Sequence, residues 1–336
     1  MRKITSLILA LVVLAGLLPQ VEAFAAETGP LPGSFTVGSV APSVTGLEIY
    51  SDSGCTLIAS SLTPQVMYYA KVTVADANTL NDVTQIKLKI LYDVNGTNPD
   101  ETTITAGDAQ TAAIITWTKE SGLYAIGAGV GTTWAVVTGS SVLPAMSASS
   151  GDWVIAFKVG KVATESLGSA KWDFHARATN TVGYTAGAYK RNKTIPWYGQ
   201  VSMNTANVNF GSVPPGTGFG AGINKVTGIS STWVSNGDWM EKVKSSATWI
   251  GTTNTASLDA TGNTANPQEF SLKAWTSDDY ASALLLDTTG ITVEAEGVQT
   301  SESGIPHLTG TLWLKLASVF AIDQYSGTIS AVISNR

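Results

Sequence analysis

One cysteine, Cys55, stands in 336 residues, so no disulfide within the chain can brace it. Histidine is almost as scarce: His175 and His307 are the whole supply, and neither lies in the H-E-x-x-H or multi-histidine spacing that zinc sites use. No G-x-S-x-G nucleophile elbow and no phosphate-cradling G-x-x-x-x-G-K-[ST] occurs, which removes the commonest sequence grounds for a hydrolase or nucleotide-binding enzyme. Charged residues form 13% of the chain, against about 25% in ordinary soluble domains. With a net charge of −6 there is no basic surplus to neutralise phosphates, so nucleic acid is not expected as a partner. Strands alternating with helical patterns are also missing, which disfavours a parallel α/β enzyme.

What is present begins with "MRKITSLILALVVLAGLLPQVEAFAAE". Arg2 and Lys3 precede an apolar run from Leu7 to Leu18, and small residues at Val21, Ala23 and Ala25 offer cleavage sites. This is the layout of a signal peptide, expected over 1–25, and the run is shorter than the roughly 20 residues of a spanning helix. No cysteine follows it for lipid attachment, and "SAVISNR" at the other end carries no apolar tail, so no transmembrane segment is expected in the mature chain. An extended Gly- and Pro-rich leader is expected over 26–34.

Period two dominates the remainder. Ile86, Leu88, Ile90 and Tyr92 alternate with Lys87 and Lys89; Trp153, Ile155, Phe157 and Val159 share one parity. Trp172, Phe174, Ala176 and Ala178 point inward by the same rule, leaving Lys171, Asp173, His175 and Arg177 outward. Phe270, Leu272 and Ala274, then Ile291 and Val293, Leu312, Leu314 and Leu316, and Ile329, Ala331 and Ile333 continue the pattern. Gly, Asn, Asp and Pro interrupt these runs at short intervals, as in antiparallel sandwiches. The length suits two of them. The basic cluster Lys190, Arg191 and Lys193 before Pro196 suggests a first sandwich over 35–192, a linker over 193–199 and a second sandwich over 200–336. Asn236 and Gly237 predict a hairpin turn, with a helix opened by Asp238 and Glu241 as the alternative. "SDDYASALLLD" has room for a short helix or helical turn, and "DQYSG" at Asp323–Gly327 has the composition of a turn joining the last two strands, with Asp323 and Ser326 bonding local backbone and Gly327 tolerating positive φ.

The span from "VTGLEIYSDSGC" through "VADANTLND" to "AKWDFHARATN" resembles the Ig-like modules of prokaryotic exported surface proteins. The second half, with "VNFGSVPPGTGFG" and "YSGTISAVIS", is similar to the WxL-like and TasA-like sandwiches of surface and fibre proteins. The resemblance implies an all-β, extracellular, non-catalytic structural or adhesive protein that associates with copies of itself in a filament or surface layer. The alternative is an adhesion module that binds a wall or surface glycan.

Few residues carry chemistry. Asp93, Asn95 and Asp100 around Gly96 offer oxygen ligands for calcium without the closing bidentate Glu, so a polar turn is the simpler expectation; Asp76, Asn78 and Asp82 stand likewise. Asn95 and Asn192 open N-x-T sequons. Asp278 with Asp279, or Glu294 with Glu296, are the available carboxylate pairs for glycoside hydrolysis. Ten Trp are present; Trp117, Trp134, Trp197 and Trp233 lie outside strong inward patterns and are candidates for a sugar-stacking platform. Cys55 is expected to be a small semi-buried residue. No catalytic, cofactor or metal-binding set emerges from these residues.

Overall fold

In the computed structural model, residues 32–99, 110–127, 131–220 and 222–336 are described. The expected signal peptide, positions 26–31 of the leader and Asp100 lie outside the described residues. Met1–Gly38 is one unit, and the strands all belong to the other, Ser39–Arg336. The fold is all-β, with 45% strand and 2% helix. No helix among the described residues is long and apolar enough to cross a membrane.

The first half runs β1 (Ser43–Tyr50), β2 (Met67–Ala75), β3 (Gln85–Asp93), β4 (Ala112–Thr118), β5 (Tyr124–Ile126), β6 (Ala135–Val136), β7 (Ser150–Lys158), β8 (Lys171–Thr179) and β9 (Ala188–Lys193). It forms two sheets, ordered β1-β2-β7-β6 and β5-β4-β3-β8-β9. The alternation works as a half-buried strand requires: Ile86, Leu88 and Ile90 from β3 meet Trp153, Ile155 and Phe157 from β7 in one core, all fully buried. Trp117 lies 5.7 Å from Trp153 and Trp134 lies 6.0 Å from Trp172, ring centre to ring centre, inside that core.

The second half runs β10 (Gly199–Met203), β11 (Lys225–Ser235), β12 (Trp239–Ser245), β13 (Thr248–Ile250), β14 (Thr255–Leu258), β15 (Glu269–Trp275), β16 (Leu284–Leu285), β17 (Ile291–Gly297), β18 (Ile305–Leu316) and β19 (Ile329–Asn335). A seven-stranded sheet, β10-β11-β18-β15-β14-β13 with β16 on β15, opposes a three-stranded sheet, β17-β12-β19. The core between them is built from Phe270, Leu272, Leu312 and Leu314 on one side and Val243, Val293 and Ile329 on the other. Among pairs of described strands, one departs from the antiparallel rule: β14 and β15 run parallel.

Several expectations are corrected. Ser235–Trp239 is no hairpin, because β11 pairs with β10 and β18 whereas β12 pairs with β17 and β19. The chain changes sheets there, and Asn236 is fully buried. Its amide nitrogen donates to the carbonyls of Ala163 (2.9 Å) and Pro196 (3.0 Å), its side-chain oxygen accepts from the Tyr198 N–H (2.6 Å), and its backbone bonds Tyr198 and Glu165. A surface turn would leave those carbonyls of the first half without this donor. The helix alternative at Asp238–Glu241 gives way to β12, and 277–287 holds a turn and β16 without a helix. Asp173 and His175 face inward contacts instead of solvent: they are 1% and 2% exposed, Arg191 reaches Asp173 at 2.8 Å, and His175 packs on the Tyr189 ring at 4.3 Å. Trp313 shares the parity of Lys315 and is nevertheless fully buried, beneath Tyr280 at 5.8 Å.

Candidate functional site

A seven-stranded sheet opposite a three-stranded one leaves part of the wider sheet's apolar face without a strand over it. The second sandwich is open there, as a groove of about 1280 Å³. That exceeds the roughly 300–1,000 Å³ of ordinary small-molecule sites. Its floor is Ile229, Phe270, Leu312 and Leu314, and β12, β17 and β19 supply Val243, Val293 and Ile329. β19 pairs with β12 alone among the described strands, so it is the edge of its sheet. Edge strands present backbone donors and acceptors to any incoming chain.

Two loops border the groove. The segment after β10 crosses it as a strap, with Val208, Phe210 and Val213 packed on the core. From Ala206 to Phe210 the strap makes no backbone hydrogen bond among the described residues. The other border is the β18–β19 connection. Asp323 does not serve a local turn only: its carboxylate accepts the N–H groups of Thr252 (2.9 Å), Thr253 (2.9 Å) and Asn254 (3.0 Å) from the β13–β14 loop, besides Gln324 (2.8 Å). These bonds, those of Thr253 and Thr252 foremost, hold its carboxyl far below the ordinary range. Ser326 and Ile250 exchange backbone bonds at 2.9 and 3.0 Å. Gly327 has no positive φ; a Cβ there would overlap the Trp249 indole, so glycine permits close approach to the groove wall.

The chain enters its first sandwich at a second built feature. Val40 donates to the Asn78 side chain (2.6 Å), Ser39 to Asp82 (2.5 Å), and Asn180 to both Asp82 (2.7 Å) and the Val40 carbonyl (2.8 Å). Thr185 adds backbone and hydroxyl bonds to Pro42 and Ala41, and Val44 bonds Ala186. Asp82 and Asn78 of "DANTLND" thus hold the chain as it enters β1. Ahead of this clamp, Phe35 is 90% and Val37 70% exposed, and neither belongs to a strand.

The remaining sequence candidates are dispersed. Asp93 binds its own loop, accepting from Thr97 (3.1 Å) and Asn98 (2.8 Å), while Asn95 and Asn192 are exposed. Asp278 pairs with Lys225 at 2.6 Å and Asp279 accepts from Ala281 and Ser282. The side chains of Glu294, Glu296 and His307 lie outside the described ones. Cys55 is half-buried, and burial pushes its thiol pKa up, the direction away from a reactive thiolate. Trp117, Trp134 and Trp233 are in the interior, so of the four platform candidates only Trp197 is partly exposed, and its indole donates to the Asp238 carbonyl at 2.9 Å. No group of three or more His, Cys, Asp and Glu with metal-binding geometry occurs among the described residues.

No family model and no curated protein sequence matches the chain. Among solved structures, a 35 kDa C-terminal fragment of the major pilin GBS80 of Streptococcus agalactiae is similar at 10% identity, over 79% of this chain and 82% of that one, with a TM-score of 0.22. A superposition of that quality does not establish a shared fold.

Proposed function

We propose that this chain is an exported subunit of a cell-surface filament or layer, and that its copies associate by strand addition, with the end of the leader and the residues that follow it, Gly33–Val40, from one copy completing an open sheet edge of the next. The domains are a sandwich over 35–192 and a second over 200–336, joined through 193–199. The observation that carries the reading is the groove: a trough with an apolar floor and polar residues among its walls, roomier than a small ligand needs, bordered by a sheet edge that pairs on one side only among the described strands. Strand addition supplies backbone bonds along such an edge and pockets for alternate side chains. The exposed Phe35 and Val37, two residues apart ahead of a fixed clamp, supply those alternate side chains. A glycan platform has less support, because three of its four candidate tryptophans are core residues.

Electron microscopy of the full chain and of the Phe35→Ser/Val37→Ser variant tests the proposal. Filaments or sheets from the first and monomers from the second are expected. Unchanged assemblies from the variant, or monomers from both, overturn it.

A further inference from the structure

The leader and the strap carry the same short pattern. Phe35-Thr36-Val37-Gly38-Ser39-Val40 and Val208-Asn209-Phe210-Gly211-Ser212-Val213 both read apolar, polar, apolar, Gly, Ser, Val, and a proline follows each within two residues. Their surroundings differ. In the strap the three apolar positions are half-buried against the second core; in the leader Phe35, Val37 and Val40 are 90%, 70% and 50% exposed. The strap covers apolar surface yet forms no ladder from Ala206 to Phe210 among the described residues, although β19 beside the groove has an edge to offer. Side-chain burial without backbone pairing is a weaker hold than burial with pairing.

We infer that the strap Thr205–Val213 is a built-in occupant of the groove, displaced during assembly by the matching leader of a second copy. This rests on the assembly reading above and adds where the leader goes and what it replaces. Phe35 takes the place of Val208 and Val37 that of Phe210, while the leader backbone pairs with β19, which the strap does not. The Ser39–Val40 clamp fixes the leader's root on its own subunit, so the exchange joins two copies. The strap also shields the groove until a leader arrives, limiting the unspecific pairing that an open apolar edge invites.

Full-length single-cysteine proteins, all in a Cys55→Ser background, provide the test. One carries Val37→Cys, another Ala331→Cys on the groove side of β19, and a third Glu120→Cys on the exposed surface of the first sandwich. The Val37→Cys protein is assembled with each of the others and treated with a short bismaleimide. Cross-linked dimers with Ala331→Cys and none with Glu120→Cys are expected. A Phe210→Ser variant with an intact leader is expected to assemble at about tenfold lower concentration, since one large apolar anchor no longer competes. Leader-dependent filaments without the Val37–Ala331 cross-link overturn the inference and leave the assembly reading standing. Assembly that survives Phe35→Ser/Val37→Ser, or no assembly at all, overturns both. A Val37→Cys/Ala331→Cys double variant that cross-links only within one chain replaces the second copy by the protein's own leader and overturns the inference. Assembly of Phe210→Ser that is weaker than that of the parent, with native near-ultraviolet circular dichroism, makes the strap part of the interface and also overturns it.

Discussion

Replacing Asn236 tests whether the two sandwiches are held by the corner where the chain changes sheets. The side chain is fully buried and makes three hydrogen bonds, to Ala163, Pro196 and Tyr198, each from 2.6 to 3.0 Å. Asn236→Ala deletes one partner of each. A lost bond that leaves its buried partner unsatisfied costs about 1–3 kcal/mol, and carbonyls tolerate this better than N–H groups. Only the Ala163 bond is fully buried, those to Pro196 and Tyr198 being part-buried, so the sum is about 2–4 kcal/mol, a large part of the roughly 5–15 kcal/mol that keeps a domain folded. Asn236→Asp separates bonding from volume. It keeps the acceptor for Tyr198 but sets a carboxylate oxygen against two carbonyls, so its deficit should equal or exceed that of Ala at neutral pH. Because its folded pKa would lie above its unfolded one, the Asp deficit should shrink as the pH falls and the carboxyl gains a proton to donate. Urea unfolding followed by tryptophan emission measures both. Trp197 bonds Asp238, and Trp239 stacks on Trp233 at 5.4 Å, so indoles report directly on this corner. Asn204→Ala, an exposed change, is the control and should stay within about 0.5 kcal/mol. An Asn236→Ala deficit below about 1 kcal/mol, or an Asn236→Asp protein as stable as the parent at pH 7, refutes the reasoning.

Three other outcomes follow from the charges. Lys193 is 4% exposed at its side chain and pairs with Glu48 at 2.9 Å; burial lowers its pKa and Glu48 opposes that shift. Glu48→Gln should therefore cost about 3 kcal/mol by thermal or urea unfolding, whereas Asp152→Asn, at the exposed Lys71 pair, should cost less than about 1 kcal/mol. Burial, with Asp238 nearby, raises the Glu165 carboxyl above its ordinary value, so its ionisation opposes folding as the pH rises above about 4.3. Glu165→Gln should raise the melting temperature at pH 7 and show no gain near pH 4. For Glu302, burial pushes the carboxyl up, but bonds from Thr133 and Thr132 more than offset this and leave it lowered. Its stabilisation is present above the unfolded value of about 4.3 and is lost as the pH falls through the folded one; Glu302→Gln should thus lose stability at pH 7 and converge on the parent once the pH has fallen below the folded value.

Much of the sheet framework was legible because alternation is a local property. Ile86–Ile90 of β3 alternates as its parity predicts, whereas β7, β15 and β18 bury the expected face and also Ala156, Ser271, and Thr311 with Trp313 on the other. Parity says which residues share a face, but not whether the opposite face is covered too. That is why Asp173 and His175 looked like surface residues: Arg191 and Tyr189 from β9 lie over them. Asn236 misled for a related reason. An Asn-Gly pair suits a tight turn, yet nothing adjacent in sequence reveals that carbonyls from Ala163 and Pro196 converge on the amide. Asp323 was legible as a polar loop residue, whereas its partners at Thr252–Asn254 are brought to it by the sandwich. The groove is a product of unequal sheet widths, which no single strand discloses. The leader–strap match was present in the letters, but six residues acquire meaning only when one copy is seen half-buried and the other exposed.

The stitching of Ser39–Val44 has a mechanical side. This stretch bonds Asn180–Ala186 laterally and then enters β1, which is paired with β2 along Ser43–Tyr50. Tension on the chain ahead of Ser39 therefore runs lengthwise along the strand, across bonds that lie perpendicular to it. Those bonds must yield in shear and together, not unzip one by one, and that is the geometry in which a thin β-sheet resists pulling best.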